Sequence, residues 1–206
     1  GRLGDEELAS RLRLATREAF GNLVRYVIES EPDALVIAGD IYDGDWRDYS
    51  TGVHFVAGMR DLEEAGIPVV MIRGNHDAES VISRSLTLPP NVVELGTAEP
   101  QTHVLEDAGI AFHGQGFATR SVTSNLAASY PQPLGGMVNV GLLHTSIQGY
   151  EGHDPYAPCS ENDLFGRGYD YFALGHIHQR QVGRRQRSAW AFRGNLQGRN
   201  PRETGP

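Results

Sequence analysis

Polar side chains that can bind a metal or transfer a proton follow four short apolar runs of strand length. The four polar clusters are Gly39-Asp40-Ile41-Tyr42-Asp43, Gly74-Asn75-His76-Asp77, His144 and Gly175-His176-Ile177-His178. Ligands of open α/β sheets bind beyond the carboxyl ends of the strands. We therefore expect Asp40, Asn75, His144 and His176 to emerge side by side at one edge of a sheet.

These residue types together predict a site for divalent metal ions. Oxygen ligands alone favour magnesium or calcium, whereas imidazoles mixed with a carboxylate suit manganese, iron or zinc. Two metals about 3.5–4 Å apart can clamp the attacking and leaving oxygens of an in-line displacement at phosphorus, and a shared carboxylate is a natural bridge between them. A histidine with its ordinary pKa of about 6.5 is suited to protonating the leaving oxygen. The clusters therefore predict metal-assisted phosphoester hydrolysis.

The elements that must hold these clusters alternate between helix and strand in the first third of the chain. Apolar residues recur at three- and four-residue spacing from residue 8 until Pro32 ends the pattern, which predicts a long first helix. Residues 34–38 and 69–72 are apolar runs of strand length, and residues 50–65 between them predict a second helix. This alternation is typical of an α/β sheet with parallel neighbours.

The rest of the chain predicts further strands. Residues 92–95, 102–105 and 110–113 are short strand-like runs between turn residues, and we expect them to form an antiparallel sheet. Residues 138–143 predict a core strand that ends at His144, and residues 171–174 predict the strand before His176. Ser160 is placed to cap a short helix over residues 161–165, and residues 189–192 predict a last strand.

Composition is typical of a single globular domain of 206 residues. The net charge of −8 argues against a general polyanion-binding surface, although all 18 basic side chains are arginines, which suit phosphate contacts. Arg184, Arg185 and Arg187 form a basic cluster that we interpret as a solvated hairpin rather than a phosphate-binding patch. A single cysteine, Cys159, and no apolar run long enough for a membrane span indicate a cytoplasmic protein.

The four clusters, in this order, resemble the motifs of the calcineurin-like metallophosphoesterases, and the resemblance covers essentially the whole chain. It implies a four-layer α/β sandwich of two mixed β-sheets flanked by helices. Asp77, where the protein phosphatases of this superfamily have glutamate, favours the phosphodiesterase and nuclease branches. Residues 194–206 are similar to bacterial DNA-repair exonucleases of the SbcD type.

The resemblance also implies a role for each residue of the clusters. Two divalent metal ions are expected, with manganese first and iron, zinc or magnesium as alternatives. The implied metal ligands are Asp40 as the bridge between both metals, Asn75, His144 and His176 at one metal, and His178 at the other. The implied catalytic residues are His76, which protonates the leaving group, and Asp43, which orients His76.

One family motif is missing from the sequence. An Asp-x-His motif on the family's first strand supplies ligands to the second metal, and it occurs nowhere in the 206 residues. We therefore expect a core domain over residues 1–206 that is cut at both ends, with that first strand outside it. If the native gene also lacks the motif, a non-catalytic module that docks DNA or an ATPase becomes the better interpretation.

The function expected from these observations is a manganese-dependent DNA exonuclease or endonuclease of DNA repair. Such family members work with a coiled-coil ATPase and pair as dimers, so DNA, an ATPase subunit and a second copy are the expected partners. The alternative enzyme is a phosphodiesterase or phosphatase that acts on small molecules, because the same metal core would serve it.

Overall fold

The computed structural model describes residues 2–42, 49–80, 86–147 and 156–196 of the chain. These ranges contain helices and strands in alternating order. The helices are α1 (Arg2–Ser30), α2 (Tyr49–Glu64), α3 (Asn75–Glu79), a 3-10 helix (Leu126–Ser129) and α4 (Glu161–Phe165). The strands are β1 (Leu35–Ala38), β2 (Val69–Ile72), β3 (Val92–Glu94), β4 (Gln101–Leu105), β5 (Ile110–Gly114), β6 (Val138–His144), β7 (Tyr171–Gly175), β8 (Gln181–Arg185) and β9 (Ser188–Phe192).

The smaller of the two sheets holds β1, β2 and β3 in that order. All three strands run parallel, and the register pairs Ala38 of β1 with Ile72 of β2. The two strands therefore end level with each other. The loops that carry Asp40 and Asn75 consequently leave the sheet at the same edge.

The larger sheet has the strand order β4-β5-β6-β7-β9-β8. Its central strands β5, β6, β7 and β9 are mutually parallel, while β4 and β8 each pair antiparallel at an edge. The register of β6 with β7 pairs His144 with Gly175. His144 and His176 therefore also reach the same sheet edge.

The two sheets face each other and are covered on both sides, which makes four layers. The four residues of β2 show how the sequence produces this arrangement, since successive side chains of a strand point to opposite faces. Val69 and Met71 pack against α1 and α2, whereas Val70 and Ile72 pack between the sheets against the larger one. A continuous apolar run is thus what a parallel strand buried on both faces requires.

The far face of the larger sheet is covered by the 3-10 helix, α4 and the loops around them. Leu164 of α4 and Leu126 of the 3-10 helix lie in one cluster with Phe172 of β7 and Trp190 of β9. Ser160 caps α4, because its hydroxyl accepts a hydrogen bond from the backbone N–H of Asp163 at 3.2 Å. This outer layer therefore packs against β7, the strand that leads to His176.

The structure confirms the α/β fold of two sheets flanked by helices and corrects three details. Residues 92–94 form β3 and pair parallel to β2, whereas we expected them in an antiparallel sheet. Only β4 and β5 of the expected middle strands pair antiparallel, and the described strands of the smaller sheet are all parallel instead of mixed. The long connections before β3 and β6 explain this, because parallel neighbours need a crossover.

The arginine-rich segment does form a hairpin, but its first strand, β8, was not predicted. It lies at the edge of the larger sheet and pairs antiparallel with β9. In the part of the chain that the structure describes, no helix combines the length and the apolar character needed to cross a membrane.

Candidate metal centre

Four of the side chains predicted to bind metal meet where β1, β2, β6 and β7 end. Asp40 follows β1, Asn75 is the first residue of α3, His144 is the last residue of β6, and His176 directly follows β7. One ligand atom from each of Asp40, His144 and His176 lies within 4.8 Å of the other two. The structure thus brings together residues that are more than one hundred positions apart in the sequence.

His144 is completely buried, and its surroundings determine which ring nitrogen carries the proton. Its Nδ1 lies 2.9 Å from the carbonyl oxygen of Ala38. A carbonyl oxygen can only accept, so Nδ1 donates and the lone pair of the neutral ring sits on Nε2. Nε2 lies 2.8 Å from Oδ1 of Asn75 and 3.3 Å from Oδ2 of Asp40. Three electron-donating atoms therefore converge, and they need a cation or a proton between them.

Asp40 is held in this position by both its backbone and its carboxylate. Its φ of 55° lies in the left-handed region, which costs a residue other than glycine about 1–3 kcal/mol. Oδ1 accepts a hydrogen bond of 3.1 Å from the backbone N–H of His76. Burial by itself would raise the pKa of Asp40, but the side chain of His144 and the N–H of His76 outweigh it and lower the pKa. Asp40 is therefore a carboxylate ready to bind a cation.

A glycine precedes three of the four side chains, and each of these glycines lies where a side chain would collide. A Cβ on Gly39 would lie 2.6 Å from the backbone nitrogen of Gly74, and one on Gly74 would lie 2.3 Å from Oδ1 of Asp40. A Cβ on Gly175 would lie 1.9 Å from the carbonyl oxygen of Ala38. These glycines let the strand ends approach closely enough to bring the four side chains together.

Asp77 joins the two loops that carry Asp40 and Asn75. Its side chain is buried, and burial raises its pKa even though it accepts two backbone hydrogen bonds. Oδ1 accepts from the N–H of Tyr42 at 3.0 Å, and Oδ2 accepts from the N–H of Gly74 at 2.9 Å. The bond to Gly74 also caps the first turn of α3. Asp77 therefore both caps the helix and orients the loops.

Two aromatic rings that the sequence did not reveal support the imidazoles. The ring of Phe117 stands edge-on to that of His144, with centroids 5.3 Å apart, and the ring of Tyr156 stands edge-on to that of His176 at 5.2 Å. Neither residue lies in a motif, so nothing local identified them. The glycines before the ligands, in contrast, were a visible signal.

The remaining predicted residues lie around this group. Asp43 is outside the described residues. The backbone N–H of His76 donates a hydrogen bond to Oδ1 of Asp40, and the residue is half-buried next to Asn75. His178 is half-buried two residues beyond His176 and is not part of the three-residue group. The roles of His76, Asp43 and His178 stay predictions.

His113 is a structural residue. Its Nδ1 lies 2.8 Å from Oγ1 of Thr102, and its Nε2 lies 2.9 Å from Oδ1 of Asn139. The ring stacks on Tyr169 with centroids 4.5 Å apart. Burial lowers the pKa of His113, although the bond to Asn139 opposes the shift. Both ring nitrogens of His113 are therefore engaged by other side chains of the protein.

The donor set fits a divalent transition metal. It offers a carboxylate, an amide oxygen and two imidazoles, and such mixtures suit manganese, iron or zinc better than calcium. The protonated Nδ1 of His144 is the type of outer hydrogen bond that orients metal-binding imidazoles in proteins.

Comparison with known proteins identifies the family to which the chain is similar. The family model described as calcineurin-like phosphoesterase matches residues 14–180. A Bacillus subtilis (strain 168) protein described as the uncharacterized metallophosphoesterase YhaO is 32% identical over 203 residues, which cover 97% of this chain and 50% of that protein. The DNA double-strand break repair protein Mre11 of Methanopyrus kandleri is 25% identical over 181 residues, which cover 80% of this chain and 39% of that protein.

These curated relatives are about twice as long as this chain or longer, since the chain spans at most half of each. The crystal structure of TT1561 of Thermus thermophilus superposes with a TM-score of 0.52. Its sequence identity is 12%, and the match covers 87% of this chain and 84% of that one. This likeness supports the fold.

Proposed function

This chain belongs to the calcineurin-like phosphoesterase family, and we propose that it hydrolyses phosphodiester bonds with divalent metal ions bound at the candidate centre. The convergence of Nε2 of His144, Oδ1 of Asn75 and Oδ2 of Asp40 carries this proposal, because one bound cation would accept electron pairs from all three atoms. Family membership implies that the cation is a divalent metal.

We propose two metal ions, with manganese as the native one. Asn75, His144 and His176 would hold one ion, His178 the other, and Asp40 both. Bound divalent ions supply Lewis acidity, which makes water a nucleophile near neutral pH and neutralises charge on the phosphate. The remaining ligands of the second ion are not among the predicted residues of this chain.

His76 would protonate the leaving oxygen. The hydrogen bond of 3.1 Å between its N–H and Oδ1 of Asp40 anchors the residue beside the centre, while its ring stays partly accessible. Histidine is the side chain that most often serves enzymes as a general acid or base. Asp43 would hold the ring in the direction of the leaving group.

DNA is the proposed substrate. The similarity to Mre11, which is described as a DNA double-strand break repair protein, supports this choice. A coiled-coil ATPase subunit and a second copy of the chain are proposed partners. We also propose a cytoplasmic location, since Cys159 is a buried free thiol whose pKa burial raises to about 11, and this thiol needs no oxidising compartment.

The test compares two substrates that differ in how much they need a proton donor. The leaving group of DNA cleavage is a sugar alkoxide, which must be protonated. The leaving group of bis(p-nitrophenyl) phosphate is p-nitrophenolate, which is stable without a proton. We expect His76→Ala in the intact gene product to slow manganese-dependent cleavage of end-labelled duplex DNA by about 10²–10⁴-fold. Hydrolysis of the aryl ester should fall far less.

His54→Ala is the matched control, because His54 lies on α2 with its ring edge-on to Phe20. It should cleave both substrates at the wild-type rate. Equal losses on both substrates in His76→Ala would show that His76 is not the proton donor. No DNA cleavage by the wild type, with aryl ester hydrolysis retained, would assign the centre to a small phosphodiester instead.

A further inference from the structure

One surface of this acidic protein is strongly basic. Residues 171–196 contain no aspartate or glutamate, while the whole chain has a net charge of −8. All five arginines of this segment are exposed, and we call them the hairpin arginines. They are Arg180, Arg184, Arg185, Arg187 and Arg193.

The strand register places two hairpin arginines at the edge of the sheet that carries the metal centre. Leu174 of β7 pairs with Phe192 of β9, so Arg193 lies level with Gly175, the residue before His176. Gln181 of β8 pairs with the same Phe192, so the register places Arg180, which precedes β8, opposite Arg193, which follows β9. Two like charges placed opposite each other repel, and a bound phosphate would offset this repulsion.

The other three hairpin arginines lie at the far end of the hairpin. Arg185 pairs with Ser188 across the turn, and Arg187 lies within that turn. Arg180 and Arg184 are four residues apart, which is about 13 Å along a strand. The positive charge therefore extends away from the metal centre over a distance that a small phosphodiester would not span.

The hairpin arginines are not neutralised by the described part of the chain, where none of them forms an ion pair with a carboxylate. Arg185 donates from Nη1 to Oδ1 of Asn162 at 3.0 Å, and its guanidinium lies 4.6 Å from the ring centre of Phe165. Both partners are uncharged. Asp163 of the same helix accepts hydrogen bonds of 2.7 Å from the N–H and hydroxyl of Ser160.

Protection of an edge strand does not account for this charge. Edge strands often carry one or two charges that prevent pairing with other sheets. Arg193, however, follows β9, which is paired on both sides by β7 and β8. The charge thus continues from the edge toward the metal centre.

We infer that the hairpin arginines bind the phosphate backbone of a nucleic-acid strand whose scissile bond lies at the metal centre. This inference rests on the proposed function. Arginine suits the role, because its planar guanidinium makes two-pronged contacts to phosphate. A length of about 13 Å corresponds to roughly four base pairs of duplex DNA.

The test removes charge far from the metal ligands. Arg184→Gln/Arg187→Gln takes two charges from the hairpin and leaves Arg185 on Phe165, so the fold is preserved. Arg25→Gln/Arg60→Gln is the matched control, since it takes the same charge from exposed positions on α1 and α2. Binding of a fluorescent duplex oligonucleotide to the full-length protein is measured without manganese across a range of salt concentrations.

The loss of two phosphate contacts should make the slope of log binding constant against log salt concentration shallower by about 1.8. When the salt concentration is lowered from about 200 to about 50 mM, the DNA affinity of the wild type and of the control should thus rise roughly tenfold more than that of the hairpin variant. Hydrolysis of bis(p-nitrophenyl) phosphate should be equal in all three proteins. Equal salt slopes in all three, or no oligonucleotide binding by the wild type, would overturn the inference.

The same experiment separates this inference from the proposed function. If the wild type binds DNA without cutting it, yet hydrolyses the aryl ester, the proposed nuclease function is wrong. DNA binding by the hairpin arginines would still stand. Competition by polyglutamate as effective as competition by DNA would assign the surface to an acidic protein and overturn the assignment to nucleic acid.

Discussion

Replacing Asp77 by asparagine should damage the protein although the two side chains have nearly the same shape. Asp77 is 1% exposed, and its two oxygens accept from two different backbone N–H groups, those of Tyr42 and Gly74. Asparagine offers one oxygen and one NH₂ group in their place. Either orientation of the amide therefore leaves one buried N–H facing another donor.

The cost follows from the groups left without a partner. A buried donor that loses its acceptor costs about 1–3 kcal/mol. We expect Asp77→Asn to lower the free energy of unfolding by about 2 kcal/mol, and Asp77→Ala, which loses both acceptors, by about 4 kcal/mol. For a domain of this size, 2 kcal/mol lowers Tm by about 4–8 °C.

The metal centre should suffer as well, because Asp77 joins the loops that carry Asp40 and Asn75. Urea unfolding measures the loss of stability, and calorimetric titration with Mn²⁺ measures the loss of affinity. Asp163→Asn is the matched control, since Asp163 also accepts two hydrogen bonds at a helix start but lies in α4. It should be destabilised by about 1 kcal/mol and bind Mn²⁺ like the wild type.

An Asp77→Asn variant with the wild-type urea midpoint would refute the assignment of both carboxylate oxygens to backbone donors. A variant that is less stable but binds Mn²⁺ with unchanged affinity would refute the link between Asp77 and the metal centre. Loss of Mn²⁺ affinity in Asp163→Asn would show that any destabilisation has this effect.

Three further predictions concern the same structure. Gly175→Ala should abolish Mn²⁺ binding in a calorimetric titration, because its Cβ would lie 1.9 Å from the carbonyl oxygen of Ala38, whereas Gly135→Ala, with nothing within 4 Å, should bind normally. Burial lowers the pKa of His113 in the folded protein, so the unfolded chain takes up a proton first as the pH falls below about 6.5. The stability that depends on neutral His113 is present above that pH and lost below it. The urea midpoint of His113→Gln should consequently change less between neutral and acidic pH than that of the wild type. Identical pH profiles of the two proteins would contradict this. Removing Mn²⁺ with EDTA from protein held at about 100 times the dissociation constant should cost about 2.7 kcal/mol and lower Tm by about 5–10 °C, whereas an unchanged Tm would contradict metal binding.

Most elements of the fold were predictable because they depend on local patterns. The helical spacing before Pro32 and the apolar run of β2 each encode a backbone conformation and the faces that it buries. The glycine and the polar residue at the end of each of β1 and β7 could also be recognised from the local sequence. The sequence by itself therefore determined the α/β class, the strand ends that carry the candidate metal ligands and the family resemblance.

The pairing of distant segments was not predictable in this way. No local pattern shows that β3 joins the smaller sheet or that β8 forms an edge, because strand partners are selected by packing between residues far apart in the chain. The hydrogen bond from His144 to Ala38, which leaves Nε2 for a cation, likewise exists only because β6 and β1 lie in facing sheets. Local periodicity specifies what each segment becomes, and the tertiary structure alone decided which atoms meet.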